Sequence, residues 1–328
     1  MSGTPRDPAG CRVLLLHDDP YPYLETLRTR FPGVRLEICT RVEDVDGALA
    51  SVRPQAVFSV KCRGIPGPVH RKLVEWLDVE WIHVAGAGFE HLLPVERCDL
   101  TVTNSTGVLS PFMAETVLGA MLMLNTGFHV YREQQREHLW QQNGWTALGG
   151  KTALIIGLGE IGRRVARHAR HMGMHVLGMR SRPGTVDEVH ELVRREDLHP
   201  ALARADVLCV HVPLVDSTRN LLDADAFKHM KPGIIIVNTA RGGVMDEDAL
   251  RAALEERRVA AAHLDVFATE PLPESSPLWD TPNLVITPHM ADSVSDWPSR
   301  FAAFFGDNLE RWLAGKPLLK VVDPQRGY

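Results

Sequence analysis

The stretch Lys151–Gly173, KTALIIGLGEIGRRVARHARHMG, decides the fold. It starts as a short apolar run, TALII, of the kind expected for a strand buried on both faces. Gly157, Gly159 and Gly162 follow in the spacing G-x-G-x-x-G, and a helix-like segment follows them. Such a glycine set is weak on its own. Between a strand and a helix it is the fingerprint of a dinucleotide-binding turn. There Gly157 makes the tight turn, Gly159 lets the backbone approach a pyrophosphate, and Gly162 lets the helix pack closely on the strand. The helix N-terminus adds free N–H groups and the positive end of its dipole.

The next apolar run ends in HVLGMRSRPG, His175–Gly184. About 20 residues after the first glycine, a site for NAD places an acid against the ribose 2′-hydroxyl. Here that point holds Arg180, Ser181 and Arg182, and the nearest following acid is Asp187. Arginine forks bind phosphate, whereas a carboxylate repels it. The three residues read either as a clamp for the 2′-phosphate of NADPH or as solvated surface groups.

Outward from this unit, apolar runs alternate with helical patterns in both directions. Upstream, RVLLLH, VRLEI, AVFSV and EWIHV are strands, separated by helices at YLETLRTRF, VEDVDGALASV and VHRKLVEWL. SPFMAETVLGAMLML, from Ser110, is a long apolar helix with Pro111 tolerated in its first turn. Downstream, ADVLCVHV, GIIIVNT, AAAHLDVF and NLVITP are further buried strands. The alternation predicts parallel, doubly wound sheets. The final amphipathic segment, DWPSRFAAFFGDNLERWLAGK, is expected to return to the first domain. That gives a discontinuous domain, 1–103 with 293–328, around a second domain at 104–292.

The 328 residues carry a formal net charge of -5. This balance gives no support to nucleic-acid or membrane-surface binding. No apolar run reaches the roughly 20 residues of a membrane span. The polar start, MSGTPRDPAG, lacks a signal-peptide core. The five cysteines form no C-x-x-C pair. They read as inert thiols in a reducing compartment, which makes the cytoplasm the expected location. No metal is expected at the site.

Three residues stand just after buried strands: Arg241 in NTARGGV, Glu270 in LDVFATEPLP and His289 in VITPHMA. Ligands of open α/β sheets bind at the carboxyl ends of strands. Taken singly, Arg241 reads equally as a surface arginine and His289 as a structural histidine. Together they provide what hydride transfer to a 2-keto acid needs. A guanidinium holds the carboxylate and polarises the carbonyl. An imidazole moves a proton at the carbonyl oxygen, and a carboxylate favours and orients the imidazolium. Asp265, in HLDVF, reads as a structural hydrogen-bonding residue rather than a catalytic one.

With these segments in order, together with HVPLVDSTRNLL, MKPGIIIVNTARGGVMDEDAL and TNSTGVLSPFMAETVLGAML, nearly the whole chain resembles the D-isomer-specific 2-hydroxyacid dehydrogenases. The resemblance implies a Rossmann dinucleotide-binding domain and a discontinuous flavodoxin-like substrate domain. It implies Arg241, Glu270 and His289 as the catalytic set. It implies a dinucleotide site of Gly157, Leu158, Gly159, Glu160, Ile161, Gly162, Arg180, Ser181, Arg182, Val212, Pro213, Thr218, Thr239, Ala240 and Asp265. It also implies a substrate site of Ala87, Gly88, Arg241 and His289, with the backbone N–H groups of Ala87 and Gly88 on the substrate carboxylate. Glu90 stands where the family often has Asp, a departure that concerns loop packing.

Within the family, RSR and the terminal VVDPQRGY are similar to glyoxylate/hydroxypyruvate reductases, with NADPH/NADP the preferred cofactor and NADH/NAD secondary. Glu270 argues against the formate dehydrogenase branch, which carries Gln there. The chain is too short for the regulatory domains of 3-phosphoglycerate dehydrogenases. Corepressors of the same fold make an NAD(P)-sensing binding protein the alternative, although their disordered extensions are nearly absent here. The segment 129–145, with Trp140 and Trp145, reads either as a surface excursion or, by resemblance, as part of a homodimer contact through 111–145. Lys61 and Arg63 either meet a second anionic group of the substrate or are solvated loop charges.

Overall fold

The computed structural model describes residues 4–181 and 184–323. The chain divides into two compact units. One contains the residues up to Val108 and those from Val294, and the other is Leu109–Ser293.

The first unit holds β1 (Arg12–Leu16), β2 (Arg35–Cys39), β3 (Ala56–Ser59), β4 (Trp81–Val84) and β5 (Thr101–Asn104), with α1 (Tyr21–Arg30), α2 (Val45–Val52) and α3 (Arg71–Glu75). Its sheet runs β2-β1-β3-β4-β5, and every ladder is parallel. The α3 helix is shorter than the apolar pattern at VHRKLVEWL, because a 3-10 turn containing Pro68 precedes it and Trp76 is extended. Alternate strand residues face opposite sides of a sheet. Leu14, Leu16, Val57, Ile82 and Val84 accordingly share one buried layer. Phe58, Trp81 and His83 face the other way.

The second unit holds α4 (Ser110–Thr126), α5 (Phe128–Arg136), β6 (Thr152–Ile156), α6 (Glu160–His171), β7 (His175–Met179), β8 (Glu191–Val193), α7 (Leu198–Leu202), β9 (Val207–Val210), α8 (Ala224–His229), β10 (Ile234–Asn238), α9 (Glu247–Glu255), β11 (Val259–Leu264) and β12 (Leu284–Ile286). The strand order is β12-β11-β10-β9-β6-β7-β8, again wholly parallel. Leu154, Ile156, Leu208, Val210 and Ile236 enter one core layer. Ala153, Ile155, Val207, Cys209 and Val237 enter the other, against α4 and α6. This is why the strands read as unbroken apolar runs.

The last helix, α10 (Trp297–Leu313), belongs to the first unit. Its Phe305 is fully buried and stacks on Phe58 at 4.9 Å and on Trp81 at 5.2 Å between ring centroids. The unit boundary falls at 108/109, later than the expected 103/104. Ser105 explains the difference. Its N–H donates to Gly86 O at 2.8 Å and its hydroxyl meets His83 Nε2 at 3.0 Å. His83 also bonds the Thr103 hydroxyl at 2.7 Å, and burial pushes its pKa down to about 3, so the ring is neutral.

Phe305→Ala is expected to destabilise the first unit by about 3–5 kcal/mol, since it removes a fully buried ring stacked on Phe58 and Trp81. Denaturant unfolding measures this, and a loss below about 1 kcal/mol would contradict the packing described.

Candidate active site

The glycine turn forms as its spacing requires. Gly157 follows β6 with φ 99°, a conformation glycine adopts freely, and a Cβ there would lie 2.5 Å from the His211 carbonyl oxygen. A Cβ on Gly162 would collide with the Gly157 carbonyl. At Gly159, which caps α6, a Cβ would meet no atom of the described residues within 4 Å. Two glycines therefore serve internal packing, and the third leaves open space at a helix N-terminus. That arrangement fits a pyrophosphate. Leu158 is buried and abuts Gly178, so only its backbone can face a ligand. Glu160 is exposed and Ile161 half-buried.

Arg180 follows β7, is half-buried, and makes no hydrogen bond or ion pair among the described residues. Ser181 is exposed, and Arg182 lies outside the described residues. Of the acids that follow, Glu188 is committed elsewhere. Glu188 bridges Arg163 at 3.1 Å and Arg167 at 3.2 Å on α6. Burial works against its charge, but the Arg163 and Arg167 bonds outweigh it and hold its carboxyl below the usual range.

Val212 and Pro213 follow β9. The Thr218 hydroxyl fastens this loop, donating to Pro213 O at 2.6 Å and accepting from Val215 N at 2.9 Å. The rings of His211 and the hydroxyl of Thr239 are buried with no partner among the described residues. Burial pushes His211 down to about 4. Ala240 is buried, and its N–H donates to Asn238 Oδ1 at 3.0 Å.

Arg241, Glu270 and His289 follow β10, β11 and β12, which are adjacent strands. Backbone contact draws the first two together: a Cβ on Gly242 would collide with the Phe267–Ala268 peptide. Arg241 Nη1 donates to Ala240 O at 2.8 Å. Glu270 Oε1 accepts from Phe267 N at 2.9 Å, and Oε2 meets His289 Nδ1 at 2.7 Å. Partial burial opposes the Glu270 charge. The bonds from His289 and Phe267 N–H, with the charges of His289 and Arg241, overcome it and lower its pKa.

His289 has φ 50°, the left-handed region that a non-glycine residue enters only when held there. Asp265 holds it. The Asp265 backbone oxygen accepts from His289 N at 2.9 Å. Its carboxylate is 1% exposed and accepts from the Thr287 hydroxyl at 2.5 Å, Met290 N at 2.8 Å and Ala291 N at 2.9 Å. The bonds of its side chain thus run to the histidine loop, in keeping with a structural role.

The expected carboxylate loop lies in the first unit, after β4. Gly86 has φ 95°, its oxygen accepts from Ser105 N, and the Ala87 oxygen accepts from Asn104 Nδ2 at 2.8 Å. The N–H groups of Ala87 and Gly88 have no partner among the described residues. Carbonyls tied back and N–H groups left free make an anion nest.

Two residues escaped the sequence reading. Asn104, the last residue of β5, fixes the nest, and TVTN gave no hint of that long-range bond. Glu247 reads as a helix-start acid in MDEDAL. In the structure its Oε1 accepts from Ala268 N at 2.6 Å, bracing the segment that leads to Glu270. Burial raises the Glu247 pKa despite that bond, and the charges of Asp248, Asp246 and Glu270 add to the rise.

A strand–glycine-turn–helix unit and an Arg–Glu–His set on adjacent strands define a dinucleotide-dependent oxidoreductase. Comparison with known proteins agrees. The family model described as "D-isomer specific 2-hydroxyacid dehydrogenase, NAD binding domain" matches residues 118–291. The (S)-sulfolactate dehydrogenase of Chromohalobacter salexigens is 34% identical over 247 residues, 74% of this chain and 80% of that protein. The glycerate dehydrogenase of Methylorubrum extorquens is 33% identical over 310 residues, 91% of each chain. Among solved structures, the NADPH-dependent glyoxylate/hydroxypyruvate reductase of Sinorhizobium meliloti, in complex with NADP and sulfate, matches with TM-score 0.80 at 26% identity. That match covers 97% of this chain and 100% of that one. The chain belongs to the D-isomer specific 2-hydroxyacid dehydrogenase family and is an NAD(P)-dependent oxidoreductase.

Proposed function

We propose that the protein is an NADPH-preferring reductase that converts small 2-keto acids of the glyoxylate/hydroxypyruvate type to D-2-hydroxy acids, with His289 as proton donor. The 2.7 Å bond between Glu270 Oε2 and His289 Nδ1 carries this reading. A carboxylate only accepts, so Nδ1 carries a proton and Nε2 is left for substrate. The bound dinucleotide supplies the hydride. His289 Nε2–H gives its proton to the carbonyl oxygen, and Glu270 stabilises the imidazolium that makes this transfer available. Arg241 holds the substrate carboxylate with its planar fork and draws charge toward the carbonyl oxygen. The N–H groups of Ala87 and Gly88, without a partner among the described residues, suit a carboxylate.

For the dinucleotide, the Gly157–Gly162 backbone takes the pyrophosphate, with Val212, Pro213, Thr239 and Ala240 at neighbouring strand ends. Arg180 favours a 2′-phosphate because it is a cation without a partner among the described residues, where an acid would select NADH. The S. meliloti relative is NADPH-dependent, which supports this choice. Leu122, Phe128, Leu139, Trp140 and Trp145 are exposed, Trp140 at 96%. An apolar surface of this kind suits a homodimer contact through residues 111–145. All five cysteines are free, in keeping with a reducing cytoplasm.

The primary test is NADPH oxidation with a panel of 2-keto acids. In that assay His289→Ala is expected to lower kcat by roughly 10²–10⁴-fold while NADPH still binds. Retention of more than about a tenth of wild-type kcat would remove the proton-transfer role.

The Glu270–His289 pairing also sets a pH dependence. Partial burial opposes the Glu270 charge, and the bond from His289 outweighs it and lowers the Glu270 pKa. The carboxylate beside the ring therefore stays charged below the usual carboxylate range, and the rate is expected to fall only as pH drops through that lowered pKa. Glu270→Gln should remove this acid limb. A kcat/KM profile with the same acid limb in the variant would take Glu270 out of the mechanism.

Cofactor choice is tested at Arg180. A hydrogen bond to a charged group contributes roughly 1.5–3 kcal/mol. Arg180→Ala should therefore weaken NADPH roughly ten- to a hundredfold and leave NADH nearly unchanged. Arg180→Asp should go further, repelling NADPH and offering the ribose hydroxyl of NADH an acceptor. Equal losses for both cofactors, read as kcat/KM and as binding constants, would make Arg180 an ordinary surface charge.

A further inference from the structure

The first unit carries a second group of chemically capable side chains. His17 and Asp18 follow β1, and Cys62 follows β3, the neighbouring strand. One donor atom from each lies within 4.8 Å of the others. In a sheet of order β2-β1-β3-β4-β5 the strand order reverses between β1 and β3, and the carboxyl ends there form a natural ligand crevice.

The His17 and Asp18 donors are each held by a further bond. His17 Nδ1 meets the Tyr23 hydroxyl at 2.8 Å, which fixes the ring and turns Nε2 toward Asp18. Asp18 Oδ2 accepts from Gly64 N at 2.9 Å, which leaves Oδ1 toward His17. A Cβ on Gly64 would lie 2.7 Å from the Asp18 Cβ, so the carboxylate is wedged against this turn. The Cys62 sulfur lies beside the Asp18 carboxylate, within 4.8 Å. The His17 side chain is 4% exposed and the Asp18 side chain 35% exposed.

The His17 Nε2 to Asp18 Oδ1 distance is 3.6 Å. That is too long for a hydrogen bond. Two ligands bound about 2.0–2.1 Å from one tetrahedral zinc ion stand roughly 3.4 Å apart. The gap is close to that of a chelating pair, and outer-shell bonds of the kind made by Tyr23 and Gly64 are what orient metal ligands.

We propose that His17, Asp18 and Cys62 form a binding site for a borderline-soft divalent cation of the Zn²⁺ class, with water in the fourth position. The mixed nitrogen, oxygen and sulfur set selects against Mg²⁺ and Ca²⁺, which require oxygen. Binding breaks the Cys62 S–H bond, forms a metal–thiolate bond and releases the proton to solvent, with no change of oxidation state. The ion ties the loop after β1 to the loop after β3, which also carries Lys61 and Arg63. A second cluster, His199, Asp225 and His229, serves as the control. Its imidazoles stack at 4.2 Å with planes 12° apart, so their in-plane lone pairs do not converge on one ion.

The test uses the full-length protein titrated with Co²⁺ and Zn²⁺. Co²⁺ is expected to produce a near-ultraviolet thiolate-to-metal charge-transfer band at one equivalent. Cys62→Ser should abolish the band, and Tyr23→Phe should weaken Zn²⁺, read by competition with a chromophoric chelator, roughly ten- to a hundredfold. The double variant His199→Ala/His229→Ala should keep the band. Circular dichroism confirms folding, and Asp18→Asn, which should also weaken Zn²⁺ at least tenfold, serves if Cys62→Ser does not fold. No band in the wild type, a band surviving in Cys62→Ser, or Zn²⁺ binding lost only in the His199/His229 variant would each overturn the proposal.

Discussion

The active-site half of the second unit depends on one buried carboxylate. Asp265 stands just past β11 and cannot be solvated there, so its charge has to be met by donors of the protein. Those donors are the Thr287 hydroxyl and the N–H groups of Met290 and Ala291. The demand for them bends the chain after β12 back over β11 and keeps His289 in a left-handed conformation it would otherwise leave. Glu270 then needs only to lie two turns of loop beyond Asp265 to reach His289. The Glu270–His289 pair is therefore a consequence of how a structural charge is satisfied. Replacing Asp265 by an apolar residue would strand three donors, and breaking such a set costs more than any one of its bonds contributes.

A second constraint acts at the other strand ends. In a parallel sheet each strand delivers its carboxyl end to the same edge, and the chain must turn there at once into a helix. Where the turn passes close to another backbone, only glycine fits. Gly157 lies against His211, Gly162 against Gly157, and Gly242 against the Phe267–Ala268 peptide. These contacts set the depth at which Gly159 and Arg241 are presented. The Glu188 bridges to Arg163 and Arg167 keep that acid on the flank of α6.

Legibility in the sequence followed physical range. The strands β6, β7, β9, β10 and β11 were readable because burial on both faces makes each an unbroken apolar run. Two short strands escaped. β5 alternates polar and apolar residues, and β8 is a three-residue edge strand with two exposed positions. The glycine turn was readable because its chemistry is local. The joining of Arg241, Glu270 and His289 was expected from their strand-end positions and from resemblance, but their partners were not. Asn104 behind Ala87 and Glu247 behind Ala268 act across the fold, and nothing in their own neighbourhoods marks them. Asp265 was read as structural because it sits at a buried strand end, although which donors it would gather was invisible.

The same limit explains why His17, Asp18 and Cys62 went unnoticed. Metal motifs are recognised when ligands share a helix or a tight turn, as in two histidines four residues apart. Here two ligands leave one strand and the third leaves the next strand in space, 44 residues later in number. Parallel pairing of β1 with β3 makes them neighbours, with Leu16 opposite Ser59 in register. Once that register is fixed, the residues one to three beyond each strand must meet. A doubly wound sheet therefore builds ligand sites from fragments with no sequence motif, at the point where its strand order reverses. Both units obey this rule, the second through β6 and β9 with their glycine turn, the first through β1 and β3.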